Sequence, residues 1–305
     1  MVIRKRLHWF RMLFIWEGSI LPQILPRLIA LFLLSTAVVI FHGELFRFKI
    51  PLTPAPFTLI GLALAIFLGF CNTASYDRYW EARKLWGGLL IDARSLVRQV
   101  QTLGDAEKDH KDIREFANLI VAFSYALKHQ LRQTDPTADL ARLLKPEFAK
   151  SLENIKFKPN IILQELGQWI YRNKKENKMD SIVQVAIDSN LNRLSDILGG
   201  CERISNTPIP YAYSVVLHRT IYTYCFLLPF GLVDSIGWMT PCIVSFIGYT
   251  FIALDAIVTE IEEPFGVEKN DLALNAICRT IEDSLTEMMG DKIDLKPASN
   301  PFIID

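Results

Sequence analysis

Hydrophobic positions in this chain are gathered into blocks. Residues 24–41 carry one charge, Arg27, near the start of the block, and residues 54–71 carry none. Residues 209–233 are strongly apolar except for His218 and Arg219, and 239–258 contain only Asp255. Between the two pairs of blocks, 72–208 is dense in Lys, Arg, Asp and Glu. A helix needs roughly 20 apolar residues to cross a bilayer, with about 17 as the lower limit. Four blocks reach that window. The pattern predicts an all-α integral membrane protein with four transmembrane helices and a large helical cytoplasmic region.

The ends of the blocks set the expected organisation. Met1–Phe14 begins with Arg4, Lys5 and Arg6, but His8 and Arg11 interrupt its apolar run and no small-x-small cleavage site follows. A basic amphipathic helix at the membrane surface fits residues 1–23 better than a signal peptide, with Trp9, Phe10, Phe14 and Trp16 at the interface. Residues 24–71 then hold transmembrane helices 1 and 2, and 72–208 form the cytoplasmic helical region. Residues 209–258 hold helices 3 and 4, and 259–305 form a cytoplasmic C-terminal segment. Basic residues crowd before the first block and fill 72–208, whereas 231–241 has none, so both termini are expected in the cytoplasm of a multi-pass protein. Arg47 and Lys49 in the 42–53 loop oppose this and are outnumbered.

Within the polar stretch, Tyr79–Val100 continues from the second block without a Gly-Pro break, which predicts one long helix. Ile113, Phe116, Leu119, Ile120, Phe123 and Leu127 form the stripe of a packed helix over Asp112–Leu131. Thr134-Asp-Pro-Thr137 breaks that helix and offers Thr134 or Asp135 as the next N-cap, with Pro136 at the first position. Met179–Leu198 reads as a helix ended by Gly199-Gly200. No strand-like alternation persists.

Composition narrows the function classes. The 305 residues include 33 Lys+Arg and 33 Asp+Glu, a net charge of zero that argues against nucleic acid as a partner. An apolar share of 50% argues against disorder. Cys71, Cys201, Cys225, Cys242 and Cys278 form no C-x-x-C pair and fall in or near apolar segments, so they read as buried thiols without a metal. Phosphate-loop, dinucleotide, zincin and nucleophile-elbow signatures are missing. The chain is therefore not expected to be an enzyme, and no cofactor is called for.

Leu62, Ile66 and Phe70 are spaced four apart on one slowly rotating helical face, among the small residues Gly61, Ala63, Ala65 and Gly69. Around a symmetry axis this stripe would stack as apolar rings that gate ions by dewetting. The alternative is ordinary helix packing. Asp77, seven residues after Phe70, would add a ring of carboxylates that attracts cations, or else stand as a solvated charge or a partner for Arg78. Arg219 and Asp255 are each 18 residues from Gly237, so a hairpin turning there predicts an Arg219–Asp255 ion pair.

Several spaced motifs together resemble the bestrophins, and most closely the short bacterial members. They are Phe67-Leu-Gly-Phe70, Asn72, Ala74, Arg78-Tyr-Trp80, Glu81-Ala-Arg83, Leu85-Trp86-Gly87, Thr207-Pro-Ile-Pro210, Pro264-Phe-Gly266, Asn270-Asp-Leu272 and Asn275. The resemblance implies a homopentameric ion channel around one axial pore in a bacterial inner membrane. Its partners would be itself, the lipid bilayer and permeant Na+/K+ or Cl−. It also implies an apolar neck at Leu62, Ile66 and Phe70 and a cytoplasmic aperture at Ile182. Animal members are gated by calcium held just after Pro-Phe-Gly. Here Lys269 interrupts that stretch and only Glu268 and Asp271 remain, so calcium gating is not expected. Animal members resemble anion channels and bacterial ones are thought to pass cations, and Asp77 leans the expectation toward sodium. The competing reading is a membrane-anchored helical scaffold or regulatory protein without a pore.

Overall fold

The computed structural model describes residues 8–16, 18–45, 48–49, 52–103, 110–176 and 178–293. Its helices are α1 (Trp9–Met12), α2 (Leu21–Ile40), α3 (Pro54–Thr102), α4 (His110–Arg132), α5 (Thr137–Leu143) and α6 (Pro146–Ser151). They continue as α7 (Lys158–Lys175), α8 (Ser181–Asn206), α9 (Tyr211–Ile236), α10 (Thr240–Glu262) and α11 (Leu274–Met288). Among the described residues the only strands are a two-residue antiparallel pair, β1 (Glu44–Leu45) and β2 (Phe48–Lys49), which the sequence did not announce. Most of the basic part of the expected N-terminal helix lies outside the described residues, and what is described is the single turn α1.

The described chain divides into two compact units, one of residues 8–79 with 208–263 and one of 80–207 with 264–293. Helix α3 belongs to both. Its 49 residues make one helix of about 73 Å, as the unbroken pattern of positions 54–100 predicts.

In the first unit α2 packs against α9 and α10, and Phe57, Leu64 and Leu68 of α3 join Ile24, Leu31, Ile221, Leu228, Val244 and Ile252 in one apolar core. Three stretches of helix are long and apolar enough to cross a membrane: Leu21–Ile40, Pro54–Thr102 and Tyr211–Glu262. The last folds back on itself at Gly237, whose φ of +52° ends α9. Lipid is as apolar as leucine, so such helices associate through close van der Waals packing rather than by escape from water. Small residues supply it. Gly248 leaves room for Leu31 and Gly231 for Phe57, and a Cβ on Gly61 would meet the Tyr224 hydroxyl at 3.0 Å. In α2 the hydroxyls are satisfied internally: Ser35 Oγ donates to the Leu31 carbonyl at 2.7 Å and Thr36 Oγ1 to the Phe32 carbonyl at 2.8 Å.

The second unit packs α4, α7, α8, α11 and the later turns of α3 around Trp86, Phe116, Phe123, Leu166 and Ile281. All six stripe positions of α4 are buried, and the Phe116 and Trp169 ring centroids lie 4.6 Å apart. Two expected boundaries are corrected. Helix α8 runs through Gly199-Gly200 to Asn206, because Gly200 serves packing rather than a cap: a Cβ there would lie 2.9 Å from Leu85. Helix α5 starts at Thr137, so Pro136 stands at the N-cap and not at the first position, and Asp135 accepts from the Thr137 amide at 3.0 Å and hydroxyl at 2.6 Å just before the helix. The buried thiols of Cys201 and Cys278 are pushed up to about 12 by desolvation, whereas Cys242 is exposed and Cys71 half-buried.

Candidate pore-lining face

Helix α3 buries Phe57, Leu64, Leu68 and Ser75 along one side within the first unit. At about 100° per residue these positions share a single face, and Leu62, Ile66 and Phe70 fall roughly 140–220° away from it. They remain 61%, 52% and 70% exposed, large apolar side chains on a face that the subunit's own helices leave uncovered. Packing within the chain therefore does not account for the stripe. The three residues climb the helix in steps of about 6 Å.

Asp77 is exposed and lies within about 40° of Ile66 on the helical wheel, roughly 10 Å beyond Phe70 along the axis. Its neighbour Arg78 turns elsewhere and donates from Nε to the Glu262 carbonyl at 3.2 Å, while Glu262 Oε1 accepts from the Ile209 amide at 3.0 Å. Glu262 thus ties the last turn of α10 to α3 and to the start of α9.

In the second unit Ile182 sits in the first turn of α8, which Asp180 caps through the Ile182 amide at 3.3 Å. It is 79% exposed, and Val185, one turn on, is exposed beside it. The cap fixes where the helix begins and so where this apolar pair points.

The expected ion pair is corrected. Asp255 accepts from His218 Nδ1 at 3.1 Å, and Arg219 is exposed. The two helices do turn back at Gly237. Adjacent residues on a helix differ by about 100° in direction, so His218 faces α10 and Arg219 does not. Only the depth was legible from equal spacing; the direction needed the packed face of Leu217, Ile221, Cys225 and Leu228.

Asp271 is 3% exposed and its carboxylate accepts from the Glu268 amide at 2.7 Å, closing the turn that follows α10, while Glu268 is exposed. Arg132 carries no signal in the sequence pattern. Its guanidinium donates to the Phe265 carbonyl at 3.2 Å and the Leu272 carbonyl at 3.4 Å, setting a fixed cation in the same turn. Among the described residues no three His, Cys, Asp or Glu side chains group as metal ligands.

An uncovered apolar helix face of this kind, in a chain with membrane-length helices, defines a membrane protein that buries its surface in lipid or in further copies of itself. Residues 1–287 match the family model described as Bacterial/Fungal Bestrophin protein. The chain belongs to the bestrophin family. It is 49% identical over the full length of both chains to a voltage-dependent anion channel-forming protein of Ralstonia nicotianae. It is 44% identical to one of Escherichia coli, over 94% of each chain. The crystal structure of a bacterial bestrophin homologue from Klebsiella pneumoniae superposes with a TM-score of 0.85 at 45% identity, covering 88% of this chain and 100% of that one. The Ralstonia and Escherichia relatives are named as channel-forming proteins, not enzymes.

Proposed function

We propose that this chain forms a homopentameric ion channel in a bacterial inner membrane, with four spans per subunit and both termini in the cytoplasm. The observation that carries the reading is the exposed apolar face of α3, in a chain whose relatives are named for channels. Leu62, Ile66 and Phe70 from each copy form an apolar neck that imposes a hydration barrier, and Ile182 forms the second constriction. A ring of Asp77 carboxylates favours small monovalent cations, sodium in particular, over chloride. Calcium does not gate the pore. The carbonyls of Phe265 and Leu272, oxygen donors of the kind calcium takes, already accept from Arg132, and Lys269 adds a further positive charge.

The names of the relatives favour a second reading for selectivity alone, in which the same neck passes chloride. The test is the reversal potential of the reconstituted protein under a NaCl gradient, with and without Phe70→Ala. Reversal near the sodium equilibrium potential, with larger conductance in the variant, supports the cation pore. Reversal near the chloride potential retains the channel and removes the role given to Asp77. Absence of current from a well-formed oligomer returns the scaffold reading.

A further inference from the structure

Three ionisable side chains meet inside the apolar helices of the first unit, away from the Leu62–Phe70 face. Arg27 is the seventh residue of α2, His218 the eighth of α9, and Asp255 the eighth from the end of α10. Each stands roughly 10 Å in from the same end of the helix bundle. The side chains touch through one ring. The Arg27 guanidinium lies 5.9 Å from the centre of the Tyr222 ring, the His218 ring centroid is 4.4 Å from it, and Asp255 holds His218 by the 3.1 Å contact.

Two features of this cluster are incomplete. Arg27 is exposed, and none of the ion pairs among the described residues includes it. The Tyr222 hydroxyl is covered; Arg27 reaches toward its oxygen, but its own proton has no acceptor among the described residues. A guanidinium in a membrane segment is costly unless an anion reaches it, and a phenol shielded from water calls for an acceptor. One group answers both at that depth, a phosphate at the level of the lipid headgroups, reached by an arginine that snorkels toward the helix ends.

We propose that Arg27, with Tyr222 and the Asp255-held His218, forms a binding site for the phosphate of an anionic glycerophospholipid. The inference rests on the membrane-spanning reading of α2, α9 and α10 and is independent of which ion the channel passes. Arg27 supplies the charge, Tyr222 both supports the guanidinium through its ring face and donates its hydroxyl, and Asp255 orients His218 toward the same ring.

The test is native mass spectrometry of the detergent-solubilised full chain, with phosphatidylglycerol, phosphatidylcholine or inorganic phosphate added and thermal stability followed in parallel. Phosphatidylglycerol should remain bound and raise the melting temperature, and Arg27→Gln should weaken its retention about tenfold, the loss typical of one charge-assisted contact. Tyr222→Phe, which keeps the ring, should weaken it by a smaller factor. Arg172→Gln, an exposed arginine in the second unit, should retain lipid like the parent. Equal retention by the parent and Arg27→Gln overturns the site. Equal stabilisation by inorganic phosphate overturns the lipid as its source, and equal retention of phosphatidylcholine overturns the preference for an anionic headgroup. If Arg27→Gln does not fold, Tyr222→Phe decides alone. Extraction of the parent from vesicles by carbonate would defeat the spanning reading itself, an outcome separate from all of these.

Discussion

Asp92 is the most deeply placed carboxylate of the second unit, at 1% exposure, and it pairs with Arg193 at 2.9 Å. Burial raises its pKa, and the guanidinium only partly offsets this. Arg193→Ala leaves a buried charge with its partner removed, so the loss should be about 2–3 kcal/mol in a denaturation midpoint, and adding Asp92→Asn should recover most of it. Glu282 behaves in the opposite way. Burial works to raise its pKa, but hydrogen bonds from Arg142 and from Tyr125 at 2.9 Å outweigh it, and the carboxyl sits below its ordinary value of 4.5. A depressed acid contributes stability above its unfolded pKa and loses it as pH falls through the folded one. Melting temperature should therefore drop as pH is taken below about 4.5, and Glu282→Gln should flatten that part of the curve.

Among the helices, the tightest approach is between α2 and α10, where Leu31 fills the space above Gly248. Gly248→Ala gains about 1 kcal/mol of helix propensity but overpacks by about 1–3 kcal/mol. The net effect should be a lower melting temperature in detergent, partly restored by Leu31→Ala. The apolar runs and the 3.6-residue stripe of α4 made the helices legible in the sequence, since both follow from composition and period alone. Gly199-Gly200 misled because a glycine pair reads the same whether it ends a helix or admits Leu85 against one. Arg132 was invisible for a related reason: its partners are backbone carbonyls at Phe265 and Leu272, which carry no sequence signature. Leu62, Ile66 and Phe70 were legible as a stripe, and their exposure shows that the chain's own helices leave it uncovered.

For the whole molecule, the proposed topology puts the Gly237 turn outside the cytoplasm, and Cys242 just after it is exposed. A membrane-impermeant maleimide applied to spheroplasts should label Cys242, while Cys201 and Cys278 lie behind the membrane and should stay unmodified even after lysis, because burial holds both thiols protonated. Labelling only after lysis would invert the orientation. In detergent the 34.9 kDa chain should run as five copies by light scattering. A stable monomer would leave Leu62, Ile66 and Phe70 with nothing to line.

Each copy presents its apolar face on a single helix, so in a ring of five one side chain per subunit would close each layer, Phe70 its own, and none could stand in for another. The genetics of such a ring are unforgiving. In a cell making parental and Phe70→Ala chains equally, random mixing leaves about 3% of rings wholly parental. A leaky neck should therefore act dominantly, its phenotype appearing while the intact gene is still expressed beside it.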